Sequence, residues 1–273
     1  MLLPPMTPDL ARRIEQNDID YTTCRLDGMR QAKGNPLGIE IRQFGPAVAF
    51  RVEAWPEFWY GNKVLGLDPA GEATLDDIVA FFGERQLAFR FELMPGRLNA
   101  SLGSRLHRLG FCQTGFSAAL YGVPPPKGQL AMDASLAVRE VTPGEVDLFL
   151  DMYQDGFGLP RLDAKDKRTV REWLDRARPD VSLYLARADR MPAGVGILFV
   201  KDEIGLLADA ATLPDFRGSG CHEALIRHRI TEAARRGCEL LTSFVEFGSA
   251  SHRNLGRAGL RVAYTKALWK KAQ

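Results

Sequence analysis

The sequence predicts an α/β (α+β) protein made of two similar parts, each a mixed central sheet flanked by helices. Three observations point there. The length of 273 residues is that of two ordinary domains. A proline-rich break, Gly122-Val-Pro-Pro-Pro-Lys-Gly-Gln-Leu-Ala-Met-Asp133, interrupts any regular structure near the middle. Strings of short strands and helices lie on both sides of it and end alike. These set the expected division: residues 1–122, a linker at 123–135, and residues 136–273.

In the first part, Gly38-Ile-Glu-Ile-Arg42, Ala47-Val-Ala-Phe-Arg-Val52 and Asn62-Lys-Val-Leu-Gly-Leu67 read as strands. A helix is expected from about Leu75 to Arg85, then a strand at Ala88-Phe-Arg-Phe-Glu-Leu93. In the second part, Leu136-Ala-Val-Arg-Glu-Val141 is a strand. Thr142-Pro-Gly-Glu145 has the spacing of a capping box with proline at the first helical position. Val146, Phe149, Leu150 and Tyr153 continue at helical spacing. A polar helix around Asp163–Ala177 precedes three strands, at 181–187, 193–200 and 205–213. A helix from about Cys221 to Arg236 buries Ile226, Ile230, Ala233 and Ala234, and Gly237 ends it. A strand at 240–247, a short helix at 251–258 and a strand at 262–269 close the sheet.

The endings are the basis for a duplication. Leu106-His-Arg-Leu-Gly-Phe111 … Ala119-Leu-Tyr121 resembles Leu255-Gly-Arg-Ala-Gly-Leu260 … Ala267-Leu-Trp269 with a one-residue slip. Chance likeness between two helix-glycine-strand junctions is the alternative.

Composition bounds the function. Hydrophobic residues at 45% and charged residues at 26% describe a globular protein with ample core. Lys plus Arg number 36 against 34 Asp plus Glu, a formal net charge of +2, too even to suggest nucleic acid or a membrane surface as partner. Cys24, Cys112, Cys221 and Cys238 are scattered, as in reduced cysteines packed as small hydrophobes, and no metal site is expected. No run approaches the ~18 to 20 apolar residues of a membrane span, and the start of the chain has no leader pattern, so a cytoplasmic location is expected.

The segment that carries chemistry is Leu206-Leu-Ala-Asp-Ala-Ala-Thr-Leu-Pro-Asp-Phe-Arg-Gly-Ser-Gly-Cys-His-Glu-Ala-Leu-Ile226, where a strand enters a glycine turn and a helix follows at once. Gly218 and Gly220 permit positive φ and present no Cβ to an approaching ligand. The first amides of the helix lack carbonyl partners and sit at the positive end of its dipole. Together they make a nest for a pyrophosphate or similar anion, with Arg217 supporting the turn. Gly-Ser-Gly-Cys-His-Glu lacks the third glycine of a dinucleotide fingerprint, and no Gly-Lys-Ser/Thr follows as in a Walker loop.

Pro214-Asp-Phe-Arg217-Gly-Ser-Gly220-Cys-His222 resembles the cofactor signature of the GNAT superfamily of N-acetyltransferases, Gln/Arg-x-x-Gly-x-Gly/Ala, matching at Arg217 and Gly220. The element order fits from Leu136 to Lys270, and Ser251-x-x-Asn254-x-x-x-x-Gly259-Leu260 looks like the family's helix-then-Gly-Phe junction. The resemblance implies two GNAT-like domains, the first a degenerate copy with no glycine loop between Leu67 and Leu75 and so no acetyl-CoA. It further implies direct attack of an amine on the thioester of acetyl-CoA. Ala210, Ala211 and Thr212 would align the pantetheine, since parallel strands that splay leave unpaired groups. The amides of Gly218, Ser219, Gly220, Cys221, His222 and Glu223 would hold the pyrophosphate. Ser251 and Asn254 would face the thiol end, with helix capping as the alternative.

Two departures stand out. The signature's last small residue is His222, whose bulk narrows the phosphate path or contacts the phosphates. The tyrosine that many members use as general acid is replaced by Leu255, and the helix-opening asparagine falls near Gly248. A lysine-like amine lies about 3.4 units above neutral pH, so its deprotonation costs ~4.6 kcal/mol and a base is needed. Asp209 and Glu246 are the candidates, each with a solvated or paired carboxylate as the alternative. Tyr264 is an alternative proton donor or a packed aromatic. Cys221 has no nucleophilic part in this mechanism, and His222 and His252 read as structural or loop residues rather than a catalytic pair.

The expected activity is acetyl transfer to a small-molecule amine. Trp55, Trp59 and Tyr60 are candidate specificity residues or simply core. A non-catalytic acyl-CoA sensor and a protein N-acetyltransferase are the rivals, and a homodimer is an open expectation.

Overall fold

The computed structural model describes residues 3–56, 61–126 and 136–272. Trp59, Tyr60 and most of the expected linker therefore lie outside the described residues. In chain order the elements are α1 (Pro8–Arg30), β1 (Ile39–Phe44), β2 (Ala47–Val52), β3 (Lys63–Leu65), α2 (Leu75–Gly83), β4 (Arg90–Leu93), α3 (Ala100–Arg108) and β5 (Phe111–Gly122). They continue with β6 (Leu136–Glu140), α4 (Val146–Phe157), α5 (Ala164–Ala177), β7 (Val181–Ala188), β8 (Met191–Lys201), β9 (Ile204–Thr212), α6 (Cys221–Arg235), β10 (Leu240–Glu246), α7 (Ala250–Arg257) and β11 (Arg261–Lys271). The expected mixed α/β class is the one found.

The chain packs as two compact units. One holds residues 7–119 together with the chain from Tyr264 on; the other holds residues 120–263 with the few residues before Thr7. In the first unit the strand order is β1-β2-β3-β4-β11-β5, antiparallel at β1–β2, β2–β3 and β4–β11 and parallel at β3–β4. In the second it is β10-β9-β8-β7-β6, antiparallel except for the parallel pair β9–β10. Each unit contains a parallel step spanned by a helix, β3–β4 in the first and β9–β10 in the second.

One expectation is corrected. β11 was expected to close the sheet of residues 136–273, yet Ala267–Lys270 pair with Leu93–Arg90 of β4. The Ala272 amide also donates to the Gly110 carbonyl at 2.8 Å, so the end of the chain belongs to the first unit.

The first unit has two unlike faces. Phe91 and Leu93 point into an apolar core with Phe81, Phe82, Phe89 and Phe111, where Phe82 and Phe89 stack at 3.9 Å. Alternation along the strand sends Arg90 and Glu92 to the other face. There Lys266, fully buried, places Nζ 2.6 Å from Asp18 and 2.8 Å from Glu15 of α1, with Lys63 3.6 Å from Asp18. Burial alone would raise the Asp18 carboxyl, but the charges of Lys266 and Lys63 outweigh it and hold it at about 2. Burial likewise disfavours the Lys266 ammonium, and Asp18 and Glu15 overcome it, holding that group well above the usual lysine range.

α1 itself is absent from the expectations above. Thr7 caps it by accepting from the Leu10 amide at 3.1 Å, and Pro8 occupies the first helical position. Its buried face mixes Leu10, Ile14, Tyr21, Leu26 and Met29 with Glu15, Asn17, Asp18, Thr22 and Arg25, so the apolar stripe is broken by polar residues in the sequence.

In the second unit the expected capping box forms: the Glu145 carboxylate accepts from the Thr142 amide at 3.2 Å and its hydroxyl at 2.8 Å. Cys221 and Cys238 are buried as expected, but Cys24 is only half-buried and Cys112 is exposed. No helix among the described residues is long and apolar enough to cross a membrane.

Candidate active site

The parallel pair of the second unit is short. Leu240, Leu241 and Thr242 of β10 face Ile204, Gly205 and Leu206 of β9, and the register ends there, although β9 runs on to Thr212 and β10 to Glu246. The Ser243 hydroxyl also bonds across, to the Leu207 carbonyl at 2.8 Å. Beyond it the strands part, on the segment that carries Ala210, Ala211 and Thr212.

A β-bulge opens β9 at the same level. Gly196 of β8 pairs with Ala210 and Leu198 with Leu207, so Ile197 alone stands opposite both Ala208 and Asp209. The carbonyls that the bulge turns aside are held by Arg229. Its Nη1 donates at 3.0 Å to Ile197 and at 3.0 Å to Ala208, and its Nε donates at 3.0 Å to Leu225. The side chain is buried to 1% exposure. Gly196 makes room for it, because a Cβ there would lie 3.3 Å from the guanidinium carbon. The sequence reading missed Arg229 and the bulge. The available signal was an arginine on the buried stripe of a helix.

The glycine turn has the expected conformation. Gly218 has φ +83° and Gly220 has φ +85°, the left-handed region that favours glycine. A Cβ on Gly218 would meet open space, and one on Gly220 would lie 3.1 Å from Leu136 Cδ1. The Ser219 hydroxyl bonds the Phe216 carbonyl at 2.6 Å and so fastens the turn. The first hydrogen bond of α6 runs from the Ala224 amide to the Gly220 carbonyl, 3.0 Å. Among the described residues, the amides of Gly218, Gly220, Cys221, His222 and Glu223 have no acceptor. Ser219 departs from the expected set, since its amide is turned to the Phe216 carbonyl at 3.3 Å. The Glu223 carboxylate is engaged by Arg227 at 2.8 Å, which offsets an acidic charge at the helix mouth. Arg217 is exposed beside the turn, and the Cys221 side chain is buried.

α7 follows β10 and meets the first turn of α6. Asn254 Nδ2 donates to His222 Nδ1 at 2.8 Å. Burial, and then the charge of Arg229, push the His222 imidazole down to about 4, so it is neutral at physiological pH. Helix capping falls to Ser249, which accepts from the His252 amide at 3.1 Å; Ser251 is half-buried. Leu255 is core, 2% exposed.

Of the two candidate bases, Asp209 is half-buried in the bulge. Glu246 is exposed at the end of β10, its carbonyl accepting from the Ser249 amide at 3.2 Å. Tyr264 is removed from consideration as proton donor. It lies in the first unit, where its hydroxyl donates to Glu15 at 3.2 Å, and burial and then the Glu15 charge push its pKa upward. Trp55 is half-buried. No group of three or more His, Cys, Asp or Glu among the described residues is arranged to hold a metal.

The turn after β3 in the first unit uses its own acidic side chains. After β3 the Asp68 carboxylate accepts from the Ala70 amide at 2.9 Å, and the Gly71 amide bonds the Asp68 carbonyl at 2.9 Å. Asp76 and Asp77 then occupy the first turn of α2.

Residues 146–258 match the family model described as Acetyltransferase (GNAT) family. A search of curated proteins found no match. Among solved structures, a GCN5-related N-acetyltransferase from Kribbella flavida aligns with a TM-score of 0.64 at 15% identity, covering 93% of this chain and 95% of the other. One from Sphaerobacter thermophilus aligns at 0.58 and 14% identity, covering 96% and 93%. A tandem GNAT protein from the clavulanic acid biosynthesis pathway aligns at 0.57 and 12% identity, covering 94% and 95%. At these identities the likeness is one of fold.

Proposed function

We propose, from the match of residues 146–258 to the GNAT acetyltransferase family model, that the chain moves an acetyl group from acetyl-CoA to an amine of a small molecule. The observation that carries the reading is the set of amides without acceptors at Gly218 and from Gly220 to Glu223, at the mouth of α6 where β9 and β10 part. The amides hold the diphosphate, and the pantetheine lies along Ala210–Thr212 in the opening between the strands. Main-chain N–H groups of the bulged strand polarise the thioester carbonyl.

The amine nitrogen then attacks that carbonyl, the C–S bond breaks and CoA leaves as thiolate. Asp209 takes the amine's proton, directly or through water. Glu246, exposed at the strand end, is the second choice. The first unit, whose turn after β3 is capped by Asp68, is a degenerate copy that serves acceptor binding rather than catalysis.

A second reading, an acyl-CoA-binding protein without turnover, is favoured by one residue: the apolar, buried Leu255 offers no proton to the thiolate. Amine-dependent release of free CoA separates the two. The site itself is tested by Gly220→Val, which strains a φ of +85° and crowds Leu136. Acetyl-CoA at about a hundredfold over its Kd should stabilise the parent by ~2.7 kcal/mol. The variant should lose that protection. Equal protection of both proteins refutes the site.

A further inference from the structure

We propose that His222 is a neutral donor to the acyl-CoA diphosphate through Nε2–H, and that Asn254 and Arg257 fix its tautomer. The proposal rests on the acyl-CoA reading above and adds to it a side-chain donor with a defined protonation state.

The chain of hydrogen bonds determines the proton's position. The Arg257 guanidinium carries only donors, so the Asn254 atom that meets it is the carbonyl Oδ1. The amide is thereby oriented, and Nδ2, again only a donor, faces His222 Nδ1 at 2.8 Å. Nδ1 must present its lone pair. The proton therefore sits on Nε2, at the far edge of the ring from Asn254. An imidazolium would set N–H against N–H at this contact, and burial together with the nearby Arg229 charge also opposes it.

Nε2 has no hydrogen-bond acceptor among the described residues, and His222 is only half-buried. Its own amide is one of the donors left open in the first turn of α6. Beside it stand Arg229 and the Glu223–Arg227 pair on α6 and, through Asn254, Arg257 on α7; of these, Arg229 acts on the imidazole. A neutral N–H at this position adds a donor to the anion nest, and its strength does not change across the physiological pH range.

Asn254 is thus a positioning residue. A carboxylate in its place would accept from Nδ1–H and raise the pKa of the imidazole. Near neutral pH and below, the imidazolium would still offer Nε2–H. Above that range the neutral ring would turn a lone pair toward the phosphate.

The experiment measures binding of 3′-dephospho-acetyl-CoA, whose diphosphate does not titrate near neutrality, to the full chain by calorimetry at several pH values. Parent affinity should be flat from about pH 6 to about pH 8. Asn254→Asp should bind near parent strength at the acid end and about tenfold more weakly at the alkaline end, ~1.4 kcal/mol. His222→Phe keeps the ring but has no donor, and should lose about tenfold at every pH. Acetyl-pantetheine, which has no diphosphate, should bind all three proteins alike. The imidazole ¹⁵N shifts of the parent should show protonated Nε2 and bare Nδ1.

Parent-like, pH-independent binding by both variants, or a proton found on Nδ1, overturns the proposal. A parent that binds no acyl-CoA overturns the functional reading and this proposal together. Normal parent binding with unaffected variants overturns only the part given to His222.

Discussion

Replacing Arg229 with methionine tests how the bulge in β9 is held. The guanidinium serves three carbonyls, but Leu225 retains its place in the helical ladder, so the change strands two, Ile197 and Ala208. A buried carbonyl left without a donor costs ~1–3 kcal/mol, giving ~2–6 for the pair. Relief from burying the guanidinium returns part of that. A net loss of about 3 kcal/mol follows, or a fall of roughly 6–12 °C in the melting temperature of a unit this size. Because the bulge sets where Asp209 and Ala210 point, kcat/KM should fall as well, even well below the melting temperature. Removing the charge should also let the His222 pKa rise from about 4, which NMR titration would detect. Calorimetry and steady-state kinetics on Arg229→Met suffice. A loss under about 1 kcal/mol with unchanged kcat/KM would show that the carbonyls find other donors and that Arg229 does not shape the site.

Other outcomes follow from packing and charge. Gly156→Ala puts a methyl 2.5 Å from Ala211 Cβ, so it should cost about 1–3 kcal/mol in urea denaturation and raise KM for acetyl-CoA by displacing β9. Lys266→Met leaves Glu15 and Asp18 buried without their nearest cation and should destabilise the first unit by about 3–5 kcal/mol. Adding Asp18→Asn should recover part of that loss in a double-mutant cycle, and strict additivity would refute the pairing. Acid should weaken the same unit. Asp18 titrates at about 2 in the fold against an ordinary 3.8, so the unfolded chain takes up its proton first. The resulting stability, about 2 kcal/mol, is whole above the ordinary value and disappears as pH falls through about 2. Melting curves across that range check it, and Asp18→Asn should flatten them.

The second unit was legible because its elements announce themselves. Thr142 and Glu145 form the box their spacing implies, Gly237 ends α6 with φ +81°, and Gly218 and Gly220 adopt the turn that only glycine takes easily. α1 was illegible for the opposite reason. Its buried face carries Glu15, Asp18, Thr22 and Arg25 among its apolar residues, and the partners of Glu15 and Asp18, Lys266 and Lys63, come from distant parts of the chain. Periodicity of apolar residues says little about a helix that packs partly through charge. The partner of β11 was hidden likewise, since alternation fixes a strand's faces but not its neighbour. In the site, the backbone donors could be read from glycine spacing. The His222–Asn254 bond could not, because it joins helices that follow two different strands.

Tyr264 and the residues after it are synthesised after residues 120–263, yet they supply a central strand to the unit formed by residues 7–119. On the ribosome the earlier half must therefore wait, its β4 edge unpaired, until the later half has emerged. A protease nick or a gene split inside 123–135 would not yield two independent pieces. The upstream fragment would expose a sheet edge prone to aggregation, and the downstream fragment would trail a strand with nothing to pair against.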